Sequence, residues 1–343
     1  MISGNIILTD STDITISDEN VVAKSISIEM STCRPNRFDF GTFNAAVLKI
    51  GVIITDAANM DFSGAVVNIS DITYDGEDEV ETLLGQYIVD GSQTRRERET
   101  VYLTAYDHAQ DFDRSIPDNV RNTSYTALTA IQAACTACDI TLDDTLPAGA
   151  PNTSITFTLK SAAVQTWRDI VMWACQLIGC NAVLSREGIL TIRQAWYEYN
   201  ATPDIICTAA DRVDIKFSDT RVYVKYLTAY SGTKPKTYTS AATQPSQSKP
   251  GMMTLEKNPL LSDKTEAECD VINQALADKS FTQRRIEAKL FNNTEIALGK
   301  IGMYSGGKVD VRSSIRGMTT GITWKYHGYT RVVCAAPETV QGE

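Results

Sequence analysis

"TRRERETVYLTAYDHAQDFDRSIPD", residues 94–118, is the stretch on which the reading of this chain turns. Its middle, "ETVYLTAY", is a short run rich in β-favouring residues and reads as a strand. Asp107, His108, Asp111 and Asp113 then fall within seven positions. Such a DHxxDxD pattern is a set of metal ligands, a general acid/base pair, or the polar exit of a strand. Zinc and iron sites draw on more nitrogen or sulfur donors than one histidine with carboxylates supplies. The only other histidine, His327, lies more than two hundred residues away in an expected strand. The expectation is therefore a strand exit. Tyr106 packs inward, Asp107 caps the following turn, and Asp111 and Asp113 face water. In "RRERE", just upstream, Arg96 and Arg98 share one strand face while Arg95, Glu97 and Glu99 share the other. Solvated surface is the expectation there, with a subunit contact second.

Upstream, "NIILTD", "DITIS", "AKSISIEM", "AAVLKIGVII" and "AVVNISDITY" are short, often alternating and rich in Ile, Val and Thr. Turn signals in "CRPNRFDFG", "TDAANMDFSG" and "YDGEDE" separate them. This predicts an all-β unit, a barrel or sandwich. Downstream the period changes. Leu128, Ile131, Cys135 and Cys138 form one stripe of an amphipathic helix that Thr123 or Ser124 can cap. A second helix is expected from about 167 to 178, with Thr166 and Asp169 at capping-box spacing and Gly179 past its end. "NAVLSREGILTIRQ" reads as a hairpin turning at Glu187-Gly188. Strands return from about 211. A polar, proline-bearing stretch over 231–251 predicts a mobile loop, and Asp263 with Glu266 predicts the start of a helix over 263–279. The order is β unit, small α/β unit, β-rich unit.

The chain has 343 residues, 43% hydrophobic and 22% charged, which suits a globular protein of two or three domains. Its net charge of −10 argues against a dedicated nucleic-acid binder, though not against a surface past which nucleic acid slides. The N-terminus lacks the basic and apolar regions of a signal peptide, and no run approaches a membrane span. The eight cysteines are scattered, so free thiols in a reducing cytosol are expected. "GMYSGGKV", 302–309, imitates a phosphate-binding loop, but Val309 stands where a hydroxyl is needed and a strand follows instead of a helix. Cys135 and Cys138 spell CxxC on an apolar helix stripe with no second pair. No catalytic residue, metal site or cofactor is expected.

Taken in order, four landmarks resemble the baseplate hub (tail-hub) proteins of tailed bacteriophages and phage-derived contractile particles, and the N-terminal hub part of siphophage tail-associated proteins. The first is "SISIEMSTCRPNRFDFGTFNAAVLKIGV", with its S-x-C and F-x-F-G. The second is "GQYIVDGSQTRRERETVYLTAYDHAQDFDR", ending in Tyr-Asp where the first barrel hands over to the middle domain. The third is "TWRDIVMWACQLIGCNAVLSREGILTI", and the fourth "LEKNPLLSD". "ALGKIGMYSGGKVDV" departs from the usual G-D-x-V approach to the last barrel.

The resemblance implies an α+β, mainly β fold: two tube-like β-barrel domains, 1–112 and 206–343, flanking a small α/β middle domain, 113–205. It implies a homotrimer, a pseudo-six-fold ring joining the hexameric tail tube or distal-tail ring to a trimeric spike or tip protein. The tape-measure protein's C-terminus is a further partner, and DNA passes through the lumen without specific binding. The chain would be made in the host bacterial cytoplasm and reside in the virion tail, with no membrane insertion. No peptidase or hydrolase extension follows residue 343, and no enzyme activity is expected. Tyr87, Tyr102, Tyr223, Trp324 and Tyr326 are the candidate interface residues. The alternatives are a tail-tip host-binding protein, or a cell-wall hydrolase assembled around His327 and a distant carboxylate.

Overall fold

Thr100–Tyr106 is a strand in the computed structural model, and its alternation sets the first core: Val101, Leu103 and Ala105 are buried, while Tyr102, Thr104 and Tyr106 take the other face. The structure describes all residues except 34–38, 161, 197–201, 223, 241–250, 280–282, 292–295, 306–314 and 338–343. On one side this strand pairs with Val47–Ile53 and on the other with Asp78–Val89. Beyond Asp78–Val89 come Val66–Asp75, Ile2–Ile7 and, at the edge, Asp13–Ser17. In the other direction Ser27–Ser31 follows Val47–Ile53 and pairs with Ile315–Lys325, a strand from the far end of the chain. Tyr329–Pro337, Gln283–Phe291 and Arg212–Val222 complete the order.

Two tube-like barrels were the expectation; the strands of both β units are instead joined in one sheet, and no closed barrel is seen among the described residues. Among the described residues, fourteen strands join in one mostly antiparallel sheet whose order is open at Arg212–Val222 and at Asp13–Ser17. The pairing of Ile315–Lys325 shifts register between Thr319 and Gly321. Its first part, Ile315–Met318, pairs with Ile301–Tyr304, and its second, Gly321–Lys325, pairs with Ser27–Ser31. One strand therefore serves both β units. The mainly β character with few helices is as expected.

Between these units lie two helices, α1 (Ala127–Cys138) and α2 (Trp167–Leu177), and a small sheet. Helix α2 starts on the expected Thr166–Asp169 capping box, and Gly179 takes a left-handed backbone just past its end. Helix α1 is capped by Thr126 with Thr129, not by Thr123 or Ser124; Ser124–Tyr125 instead pairs with Phe157–Thr158. Cys180–Leu184 and Leu190–Gln194 form the expected hairpin, and Leu142–Asp143 adds a parallel strand. Ile131, Cys135, Ile170, Val171 and Cys175 pack in the core between helices and sheet.

The C-terminal helix α3 (Glu266–Lys279) starts one turn position later than Asp263 suggested. Thr265 and Glu268 make the reciprocal cap, while Asp263 accepts from the Thr158 amide. The loop expected over 231–251 is corrected in its first half. Lys234–Thr239 is a strand paired with Val224–Ser231, because Tyr238 buries its ring and donates to Asp270 of α3. The second half, 241–250, lies outside the described residues. No helix among the described residues is long and apolar enough to cross a membrane.

Candidate functional site

The DHxxDxD stretch folds as a 3-10 turn, His108–Asp113, directly after the strand. Asp107 caps it by accepting from the Ala109 amide, and Phe112 plugs the middle core against Phe43, ring edge to ring face at 5.1 Å. Asp113 meets the Arg168 guanidinium of α2 at 2.5 and 3.0 Å. Arg168 also donates to the carbonyls of Phe43 and Ala109, so one side chain ties three segments together. Tyr106 is not inward as expected. Strand parity puts it on the face opposite the core, where its hydroxyl accepts from Gln93.

His108 is held at both ring nitrogens. Nδ1 lies 2.8 Å from Asp111 Oδ2, and Nε2 lies 2.7 Å from Gln86 Oε1. Gln86 in turn donates to Asn68, and Asn68 to Asn5, which makes a side-chain ladder across the outward face of three neighbouring strands. A histidine with both nitrogens occupied offers no free donor for a metal or a substrate proton. Among the described residues no group of three His, Cys, Asp or Glu side chains is placed to hold a metal ion. A cavity of about 170 Å³ opens beside this ladder, between the middle hairpin and the first unit, lined by Leu84, Tyr87, Asp107, His108, Leu184 and Arg186 among others. Burial pushes the Asp107 carboxyl up to about 6, against the backbone amides of Ala46 and Ala109 and the positive Arg168, which favour its charge.

Of the candidate interface residues, Tyr87, Trp324 and Tyr326 are buried in the chain's own first core. Tyr87 donates to the Leu84 carbonyl, and Tyr326 to Asp18. Tyr102 stays half-exposed, its ring lying across Gly51 with the Arg95 guanidinium 4.8 Å above it. Tyr223 lies outside the described residues. His327, expected in a strand, lies in the turn between Ile315–Lys325 and Tyr329–Pro337 with a left-handed backbone, its ring 3.9 Å from that of Tyr326. The amide ladder was not anticipated. Its members sit at outward positions of strands whose pairing no local pattern reveals.

No family model matches the chain, and no curated protein matches it in sequence. Solved structures do match in fold. The tail protein from Neisseria meningitidis MC58 aligns with a TM-score of 0.58 at 10% identity, covering 98% of this chain and 96% of that one. The 43 kDa tail protein of prophage MuSo2 from Shewanella oneidensis aligns at 0.57 and 9% identity, again over 98% and 96%. The prophage tail protein gp18 from Listeria monocytogenes EGD-e gives 0.54 at 10%, over 97% and 94%. Over nearly its whole length, this chain has the fold of these three tail proteins.

Proposed function

We propose that the chain is a structural hub of a phage or phage-like tail, working as a trimeric ring between the tail tube or distal-tail ring and a spike or tip protein. The observation that carries this reading is the fold shared with tail proteins from end to end of both partners. The side-chain chemistry agrees with a scaffold. The one cluster that resembled a site spends its groups on a turn cap, a double-ended histidine and an inter-segment arginine. A second, tube-like repeat per chain would let three copies present six similar faces, and the ring contacts would be heterologous and closed. Tyr102, with Arg95 stacked on it, is the half-exposed member of the interface set that remains available for such a contact. An acidic chain suits a lumen through which DNA, or a tape-measure protein, passes without adhering.

The test is mass photometry or analytical sedimentation of the purified chain, followed by imaging of a reconstituted hub–spike complex. A three-copy ring is the expected result. A chain that stays monomeric at high concentration, and with spike present, overturns the reading.

A further inference from the structure

Two oppositely charged surfaces in this molecule have no partner within it. The hairpin Val66–Asp75/Asp78–Val89 pairs with Ile2–Ile7 only as far as Asp71, so its last turns stand beyond the sheet as a two-stranded ribbon. The tip reads "DGEDEVE" from 75 to 81: five carboxylates and no cation. Glu77, Asp78, Glu79 and Glu81 are exposed and make no ion pair among the described residues. Two apolar side chains stand among them, Tyr74 at 58% exposure and Val80 at 44%. A free two-stranded ribbon is marginal in water, and crowded like charges weaken it further. Left alone it gains nothing from this composition.

The opposite charge lies on the outward face of the shared sheet. Lys325 stands opposite Ser27, and Ser27 opposite Lys49, on three adjacent strands. Both lysines, and Lys24 three residues before Ser27, are exposed and make no ion pair among the described residues. One step along, Tyr102 lies across Gly51 under Arg95. Glu97 answers Arg95 at 2.9 Å and Glu287 holds Arg331, while Glu29, two positions from Ser27, makes no ion pair with the lysines among the described residues. The tip cannot fold back to them. Asp78 lies ten residues before Ile88, which is level with Tyr106, and at 3.2–3.4 Å per residue the tip stands roughly 30 Å beyond that level. That is several screening lengths at physiological salt.

We infer that the acidic 72–83 ribbon of one copy docks on the Lys49–Lys325 face of the next, with Tyr74, which stands opposite Glu79 and so shares a ribbon face with Glu79 and Glu81, meeting the Tyr102 side of that face. The occupant is a second copy of this chain, because it carries both complementary surfaces and neither is satisfied internally. The contact joins different patches on the two copies, as a ring requires. This inference rests on the ring reading above and specifies one of its contacts.

The experiment measures the oligomeric state of the full chain across concentration and salt. It compares the wild type with Glu79→Lys/Glu81→Lys, with Lys49→Glu/Lys325→Glu, and with all four changes combined. All four positions are exposed, and circular dichroism checks that each variant is folded. The wild type is expected to form trimers that weaken as salt rises. Either double reversal should raise the concentration needed for assembly at least tenfold, and the combined variant should regain most of it. Trimers indifferent to both reversals would refute the docking while leaving the ring intact. Losses that the combined variant does not restore would also refute it, since the two patches would then have other partners. A wild type that is monomeric throughout, with the spike protein added as well, would overturn the ring reading itself, and this contact with it.

Discussion

Trp324 stands directly opposite Ile28 across two antiparallel strands, and its indole is buried in the core built by the first hundred residues. A C-terminal side chain thus completes an N-terminal core. Trp324→Ala should cost about 3–5 kcal/mol, the usual loss for a large buried aromatic. The indole N–H meets no hydrogen-bond acceptor among the described residues. Trp324→Phe removes that unmet donor along with some volume, so its loss should be smaller, about 1–2 kcal/mol. Urea unfolding of the two variants checks the order.

Gly41 sits at φ +76, where an added Cβ would lie 2.5 Å from Gln176 Cβ and 2.6 Å from the Met172 carbonyl of α2. Its amide also donates to the Cys180 carbonyl at 2.8 Å, so this glycine is where the first unit touches the middle one. Gly41→Ala should combine about 1–2 kcal/mol of backbone strain with a clash against rigid backbone, for a total of roughly 3 kcal/mol or more. Gly76→Ala is the control. It has the same handedness at φ +66 with nothing within 4 Å of the added carbon, and should lose only the strain. Thermal melts of the pair separate crowding from conformation.

Asp107 makes stability depend on pH in the direction opposite to a salt-bridged carboxylate. Its folded value of about 6 lies above the ordinary 3.8 because burial disfavours the charge. The folded state therefore binds this proton more tightly than the unfolded chain, and the contribution is full below about pH 4 and lost as pH rises through 6. The difference is on the order of 2–3 kcal/mol at 1.36 kcal/mol per pH unit. Asp107→Asn keeps an acceptor for the Ala109 amide and removes the charge. It should be more stable than the wild type at pH 7–8 and flatter between pH 4 and 7. Denaturant midpoints of both proteins across that range decide it, and a wild type with an equally flat profile counts against the buried charge.

All eight cysteines are free and buried. Burial holds the thiols of Cys175 and Cys180 high, pushes Cys135 up to about 12, and pushes Cys33, Cys138, Cys207 and Cys334 up to about 11. Native protein should react slowly with a thiol reagent at pH 8, and protein denatured without reductant should titrate close to eight thiols. Fast native labelling, or a denatured count of only a few, would contradict this.

Local chemistry carried a good deal of this structure into the sequence. "ETVYLTAY" was legible as a strand, but Tyr106 was expected inward, whereas strand parity puts it with Tyr102 and Thr104 on the face opposite Val101, Leu103 and Ala105. Thr166 with Asp169 decided where α2 begins, and Gly179 supplied the left-handed residue that ends it. Asp107 was legible as a cap for the same reason: its carboxylate reaches an amide two residues on. All of these depend on neighbours within one or two turns. Partners far apart in the chain were not legible. Trp324 against Ile28, Asn5 against Asn68, and Arg168 against Asp113 are separated by tens to hundreds of residues. Each is selected by which faces can be buried together across the whole fold. Period two states that one strand face is apolar, but not which core it enters. So Tyr87, Trp324 and Tyr326 read equally well from the sequence as interface or interior residues, and tertiary packing made them interior. The single sheet shared by both β units was decided in the same way, by Ile315–Lys325 pairing with Ile301–Tyr304 over its first part and with Ser27–Ser31 over its second.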